Sequence, residues 1–274
     1  MKQFSAIIIG AGGRGETYTS KMYQMPDKYK IVGMADPREI KRKRYQDVYG
    51  LSPENCFADW RDILSRPKFA DIAVIATMDK DHYEPAMKAI ELGYHLLLEK
   101  PIAQTEKECI DIANAAKRKG VSVIVCHVLR YTPFYKKIKS IIDSGMIGKV
   151  MSLDQIEAVG DLHFSHSYIR GNWHSEKETT PMILAKCCHD LDIVQWLIGR
   201  PCKRVSSFGD IFRISALQMR LSVRLYDVRM VHVPKKIPAP ITVTRFILIT
   251  SIISGQEALS KIRWQHTTII LIRS

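Results

Sequence analysis

Short, almost uninterrupted apolar runs alternate along the first half of the chain with longer stretches in which apolar residues return every third or fourth position. The runs are Ile7–Ile9, Lys30–Ala35, Asp71–Ala76, His95–Leu98 and Val121–Cys126, with a briefer one at Cys56–Phe57. The periodic stretches are Glu16–Met25, Arg38–Tyr49, Trp60–Ser65, Tyr83–Leu92 and Thr105–Lys119, and Pro26, Gly93 and Gly120 supply stops. A strand that is apolar on both sides belongs inside a sheet covered on both faces, and a helix after each strand provides the cover. The pattern predicts a doubly wound parallel α/β domain, of the Rossmann type, over residues 1–126.

From residue 127 the pattern changes. Phe134–Ser144 reads as an amphipathic helix, Gly145–Gly148 as a turn and Lys149–Val159 as a strand. Leu162–Trp173 is rich in His and aromatic residues. Thr180 and Pro181 then make an N-cap and a proline at the first helical position, starting a helix over Met182–Ile198 that Gly199 ends. On that helix Lys186, His189 and Asp192 fall at steps of three, so one face presents an amine, an imidazole and a carboxylate together. Residues 127–210 thus begin a second domain.

The chemistry gathers where the first domain's strands end. Ile7–Ile9 leads into Gly10-Ala-Gly12-Gly13-Arg14-Gly15, a G-x-G-x-x-G turn opening a helix. Gly10 makes the tight turn, Gly12 lets the backbone approach a pyrophosphate, and Gly15 lets helix and strand pack closely. The helix N-terminus offers its N–H groups to phosphate charge. The second strand ends in Asp36, 21 residues beyond Gly15, where a carboxylate can accept hydrogen bonds from an adenosine ribose and repel a 2′-phosphate. That favours NAD, and NADP stays open because Arg38, Lys41 and Arg42 lie close enough to accept a phosphate. In an open parallel sheet the ligand sits outside the carboxyl ends of the strands. Gly10–Gly15, Asp36, Thr77, Glu99–Pro101 and His127–Tyr131 all fall there, so a dinucleotide site is expected.

Net charge first suggests a polyanionic partner and then argues against one. Of the +13 total, residues 211–274 carry ten Lys or Arg against two acids, a local +8, which leaves +5 for residues 1–210. The excess belongs mostly to the tail, so no specific nucleic-acid partner is expected. The six cysteines show no C-x-x-C spacing, which predicts reduced thiols, and Cys187 and Cys188 beside His189 point to different helix faces, so no metal is expected. No apolar run approaches the roughly 20 residues that span a bilayer, and the N-terminus lacks the features of a signal peptide. A cytoplasmic location without membrane association is the expectation.

With Gly10–Gly15, Asp36, Glu99-Lys100-Pro101 and the segment Lys186-Cys-Cys-His189-Asp-Leu-Asp192 in view, residues 3–210 resemble the Gfo/Idh/MocA oxidoreductase family, which includes glucose-fructose oxidoreductase and inositol dehydrogenase. The resemblance implies an N-terminal NAD(P) domain and a C-terminal α/β domain whose open sheet often mediates homo-oligomerisation. It also implies a sugar, inositol or related polyol as substrate, with Lys100 and His189 acting at the reacting carbinol. That agrees with the chemistry, since taking hydride from a secondary alcohol needs a base near its hydroxyl. Lys186 departs from the Asp that many members carry three residues before the histidine, and offers an anion or hydroxyl contact instead. His82 resembles a cofactor-side position of the family. Arg130, Tyr131, Tyr168, Asn172 and Asp192 are further substrate candidates.

Beyond Ile211 the glycine and acidic turn residues that hairpins need nearly vanish. Residues 211–274 are therefore expected to be an atypical basic tail, either a strand-rich divergent end or, the favoured reading, one truncated or frame-shifted relative to the family that leaves the sheet incomplete and works against the family's oligomer, with Ile241–Ser254 an aggregation hazard. Such a chain could keep its cofactor site and lose turnover. Beside the dehydrogenase, two other functions stay open: a redox-neutral glycosidase that uses NAD transiently, and a non-catalytic NAD-binding regulator.

Overall fold

The computed structural model describes residues 2–159, 163, 165–175, 179–212, 223–230, 247–250 and 266–273. The chain divides into two compact units, Met1–Cys126 with Lys177–Thr180, and His127–Glu176 with Pro181–Ser274.

The first unit runs β1 (Phe4–Ile9), α1 (Gly13–Tyr23), β2 (Tyr29–Ala35), α2 (Glu39–Tyr49), β3 (Cys56–Phe57), α3 (Trp60–Ser65), β4 (Ile72–Ile75), α4 (Tyr83–Glu91), β5 (His95–Leu98), α5 (Glu106–Lys119) and β6 (Val123–Val125). The six strands form one sheet in the order β3-β2-β1-β4-β5-β6, every pair parallel. This is the expected doubly wound sheet. Successive side chains of a strand point to opposite faces, and both faces of β1 are covered. Ala6 and Ile8 join a core with Met22, Met34 and Tyr45, while Ile7 and Ile9 join one with Ile63, Ile75, Ala86 and Leu98. The strand order reverses at β1, which has β2 on one side and β4 on the other. A crevice at the carboxyl ends of the strands opens at such a switch point.

Most element boundaries differ from the expectation by one to three residues, and two of the differences are informative. The last strand is shorter, Val123–Val125. Thr105 is the N-cap of α5 and not its first helical residue: its hydroxyl accepts the Glu108 N–H at 3.2 Å, and the Glu108 carboxylate accepts the Thr105 N–H at 3.0 Å, a capping box.

The second unit contains α6 (Pro133–Asp143), β7 (Ser152–Val159), a π-helical turn at Ser165–Ile169, α7 (Met182–Ala185), α8 (Cys188–Ile198), β8 (Val205–Phe212), β9 (Val223–Met230), β10 (Ile247–Thr250) and β11 (His266–Arg273). Strand β11 pairs antiparallel with β7 along its whole length and with β10 on its other side, and β8 pairs with β9. Its core joins Tyr135 and Ile138 of α6, Ile147, and Ile193 and Leu197 of α8. Of the run 241–254 only residues 247–250 are described, as β10, and Leu162 and Phe164 also lie outside the described residues. Among the described residues no helix is long and apolar enough to cross a membrane.

The continuous helix expected over Met182–Ile198 is instead two. Lys186, at φ −111°, ends α7, and the N–H groups of His189 and Asp190 reach carbonyls only three residues back, at 3.4 and 3.0 Å. Lys186 thus sits in the turn between the two helices. Its amine pairs with Glu157 of β7 at 3.2 Å. The expected continuous helix is therefore corrected to two, with His189 and Asp192 on α8 and the Lys186 amine, in the turn before it, paired with Glu157.

Candidate functional site

In the first unit the glycine turn is shaped by close approach. Gly10 has φ +90°, a left-handed conformation costly for any side chain, and a Cβ there would lie 2.6 Å from the Ala76 carbonyl oxygen. A Cβ on Gly15 would lie 1.9 Å from the Gly10 carbonyl oxygen, so α1 sits on the end of β1 only because that position is bare. Gly12 and Gly13 face open space, with nothing within 4 Å of an added Cβ, and α1 begins at Gly12 without a side-chain cap. Bare backbone at an uncapped helix start, open on one side, is the cradle a pyrophosphate needs.

Asp36, 3 % exposed, lies beside this turn and binds it: its Oδ2 accepts the Ala11 N–H at 2.8 Å. Its carboxylate also accepts the Arg38 N–H at 3.0 Å and the Arg38 guanidinium at 2.8 and 2.7 Å. Burial pushes the Asp36 pKa up, but the Arg38 fork and the two backbone donors more than offset it and hold the carboxyl below its ordinary value.

The exits of β4 and β5 are tied together. Thr77 spends its hydroxyl locally, donating to the Asp81 carbonyl at 2.8 Å. His82 is 1 % exposed, with Nδ1 2.7 Å from the Pro101 carbonyl oxygen and Nε2 3.3 Å from that of Thr77. It joins the two loops. Lys100 precedes Pro101 through a cis peptide bond. Glu99, 4 % exposed, accepts the Lys100 N–H on Oε2 at 3.0 Å and the Arg14 guanidinium on Oε1 at 2.9 Å, and Tyr18 donates to the same Oε1. Tyr18 was not singled out by the sequence; its position four residues after Arg14, on the same face of α1, is the signal that could have found it. Burial, with hydrogen bonds to Cys126 and Glu99, holds the Tyr18 pKa far above its usual range, and burial pushes the Cys126 thiol up to about 11. Tyr18 is thus a neutral donor at physiological pH.

In the second unit the turn at Val128–Tyr131 brings Arg130 to α8. Arg130 grips Asp192 with both ends of its guanidinium, at 2.7 Å from Nε and through a second contact from its terminal nitrogen. The His127 Nδ1 lies 3.9 Å from the same carboxylate, and the His127 and His189 rings meet edge to face with centroids 5.8 Å apart. Arg130, Asp192 and His189 are therefore brought together, with His127, which the sequence placed only at a strand end, as a fourth member. Asp192 and Arg130, both expected to contact substrate, satisfy one another. Tyr131 is 64 % exposed, Tyr168 stacks obliquely on Trp173 at 6.4 Å, and Asn172 is exposed.

Glu157, Lys186, Asp190 and Gln155 form a neighbouring cluster between β7 and the start of α8. The Gln155 amide donates to Asp190 at 3.1 Å and is 3.2 Å from the Tyr135 hydroxyl. Burial, reinforced by Glu157, pushes Asp190 up to about 6, although Gln155 and Lys186 pull the other way. An acid whose pKa rises on folding, from roughly 4 in an unfolded chain, leaves the folded state holding more protons than the unfolded one between those values. Stability therefore falls as pH rises through that window. Asp190→Asn, which keeps the acceptor for Gln155, is expected to melt at a higher temperature than the parent at pH 7 and level with it at pH 4. Thermal unfolding followed at both pH values checks this.

Among the described residues no group of three or more His, Cys, Asp or Glu side chains is placed to hold a metal ion.

Two family models match this chain. One, described as the oxidoreductase family with an NAD-binding Rossmann fold, covers residues 4–127, and the other, the GFO/IDH/MocA C-terminal domain, covers residues 135–228. The chain is similar to an inositol 2-dehydrogenase/D-chiro-inositol 3-dehydrogenase of Lactiplantibacillus plantarum, 26 % identical over 74 % of this chain and 54 % of the relative. It is also similar to a 2,7-anhydro-N-acetylneuraminate hydratase of Escherichia coli K12, 30 % identical over 74 % of this chain and 51 % of the relative. It thus spans about half the length of these curated relatives. Among solved structures it resembles a scyllo-inositol dehydrogenase from Lactobacillus casei with bound NAD(H) and scyllo-inositol, with a TM-score of 0.68 at 17 % identity over 76 % of this chain and 60 % of the other, a likeness of fold. With the glycine cradle, Asp36 at the end of β2 and both family models in agreement, the chain belongs to the Gfo/Idh/MocA family, and its first unit is an NAD-binding Rossmann domain.

Proposed function

We propose that the chain acts as an NAD-dependent dehydrogenase on a secondary alcohol of a sugar, inositol or related polyol. The observation that supports this best is the placing of Lys100 at the carboxyl end of β5, in the same sheet whose β1 and β2 ends carry the glycine cradle and Asp36. Gly10–Gly15 would hold the pyrophosphate, and Asp36 and Arg38 would meet the adenosine ribose. NAD, when bound, supplies the hydride acceptor. Lys100 would hold the carbinol oxygen and take its proton; Glu99, by accepting the Lys100 backbone N–H, fixes the main chain from which that amine projects. His189, in the second unit, is the other acid–base candidate. Its ring is steadied by His127, which in turn lies beside the Arg130–Asp192 pair. The named polyols of the Lactiplantibacillus relative and the Lactobacillus structure supply the substrate class.

The hydratase name of the Escherichia coli relative favours a second activity, a reaction on a sugar derivative with no net oxidation, such as the NAD-dependent glycosidase left open above. One experiment separates the two. Purified chain is mixed with NAD and a panel of inositols, hexoses and glycosides, and both NADH and free sugar are followed. NADH accumulating with a polyol supports the dehydrogenase; free sugar without NADH supports the second activity; cofactor binding with neither product would sink both.

A further inference from the structure

We propose that Tyr18 is a positioning residue for Lys100: from α1 it sets, through the Glu99 carboxylate, the backbone that carries the reacting amine. This deepens the dehydrogenase reading and rests on it.

The main chain leaving β5 is tied to its neighbours by two bonds. The Glu99 N–H donates to the Ile75 carbonyl of β4, and the Leu98 carbonyl accepts the Cys126 N–H, each at 2.9 Å. The next donor along the chain, the Lys100 N–H, turns instead to the Glu99 carboxylate, which accepts it on Oε2 at 3.0 Å. The peptide plane at Lys100 is therefore set by where that carboxylate points.

The direction is fixed on the other carboxylate oxygen. Arg14 Nε–H donates to Glu99 Oε1 at 2.9 Å, an Arg14 terminal N–H donates to the Tyr18 hydroxyl at 3.0 Å, and that hydroxyl donates to the same Oε1. The three groups close a triangle. Arg14 and Tyr18 stand one turn apart on α1, and the guanidinium lies over the Tyr18 ring, 5.3 Å from its centroid. The two partners are not equivalent. The Arg14 side chain is 47 % exposed, so water competes for its fork. The Tyr18 ring packs against the core that holds Ala6, Ile8 and Met22, and its hydroxyl also meets Cys126 at the end of β6. Burial, with the bonds to Cys126 and Glu99, keeps the hydroxyl protonated well beyond neutral pH, so its donation to Glu99 persists. Take that hydroxyl away and Oε1 keeps a single donor from a half-exposed side chain, while Arg14 loses its own anchor. The carboxylate is then free to turn, and the Lys100 peptide turns with it. A lysine stem magnifies such a rotation at its amine, and a displacement of about 1 Å costs up to about a hundredfold in rate.

Tyr18→Phe tests this, since it removes the hydroxyl and keeps the ring in the core. Parent, Tyr18→Phe, Lys100→Met and the double variant are compared in three ways: amide hydrogen exchange, thermal unfolding, and steady-state kinetics with NAD and whichever inositol or hexose forms NADH fastest. In Tyr18→Phe the Lys100 amide is expected to exchange roughly threefold to tenfold faster, the weight of one hydrogen bond, with the Leu98 amide unchanged. Its kcat is expected to fall roughly tenfold to a hundredfold, with KM for NAD and melting temperature close to the parent's. In the Lys100→Met background the same substitution should change the residual rate by less than about twofold, because a residue that acts through the amine has nothing left to position. Unchanged exchange at Lys100 would overturn the inference, as would undiminished kcat in Tyr18→Phe. A loss of equal size with and without the Lys100 amine would overturn it too, by showing Tyr18 to be merely structural. These results leave the dehydrogenase reading standing. A folded parent that forms no NADH from any inositol or hexose would overturn that reading and this inference with it.

Discussion

Replacing Lys100 by Met is expected to lower the rate of NADH formation from any polyol substrate by ~10²–10⁴-fold, the usual contribution of a positioned general base, and to leave NAD affinity close to that of the parent. Met keeps an unbranched stem of similar length and removes only the amine. The backbone at this position is fixed independently of that amine, by the Lys100 N–H on Glu99 and by Glu99's own bonds to Arg14 and Tyr18. The glycine cradle and Asp36 lie on other strands. Steady-state turnover measured beside calorimetric NAD binding checks both halves. Undiminished turnover would remove Lys100 from the chemistry, and a parallel loss of NAD binding would show the substitution to be structural.

The largest effects on the cofactor cradle are expected from two alanines with opposite consequences for folding. Gly15→Ala forces a methyl group to within 1.9 Å of the Gly10 carbonyl oxygen, and this is backbone that no rotamer change can move aside. Helix α1 must lift from β1, at a cost of about 1–3 kcal/mol or more, so both the melting temperature and NAD affinity should drop. Gly12→Ala adds its methyl group to open space, with φ −70° and ψ −169°, which alanine adopts without strain. Its melting temperature should hold or rise slightly, since alanine also restricts the unfolded chain. NAD affinity should nevertheless fall at least about tenfold, or ~1.4 kcal/mol, because the methyl group stands where the pyrophosphate must approach the backbone. Thermal unfolding and calorimetry on the two variants test the pair. A Gly12→Ala chain that binds NAD like the parent would place the pyrophosphate elsewhere.

The sequence by itself determined the architecture of the first unit, because the signals involved are local. Ile7–Ile9 and Leu96–Leu98 are apolar on both sides, which only a sheet covered on both faces can use, and Gly10, Gly12 and Gly15 mark by their missing side chains a left-handed turn, an open stretch of backbone and a close helix–strand contact. The spacing from Gly15 to Asp36 follows from the length of one helix and one strand. The tertiary structure alone decided which charges meet. Periodicity reads a helix from Met182 to Ile198 whether or not it is broken, and Lys186 at the break pairs with Glu157, which comes from a strand 29 residues earlier. Tyr18 and Glu99 are 81 residues apart, and Arg130 and Asp192 62 apart. Even Arg38, two residues from Asp36, reads in sequence as a nearby cation; that its guanidinium fills the carboxylate's acceptors depends on the turn after β2 and on the Ala11 N–H arriving from β1. Backbone pattern is written locally along the chain, whereas an ion pair depends on where two segments come to lie and on which way each side chain turns.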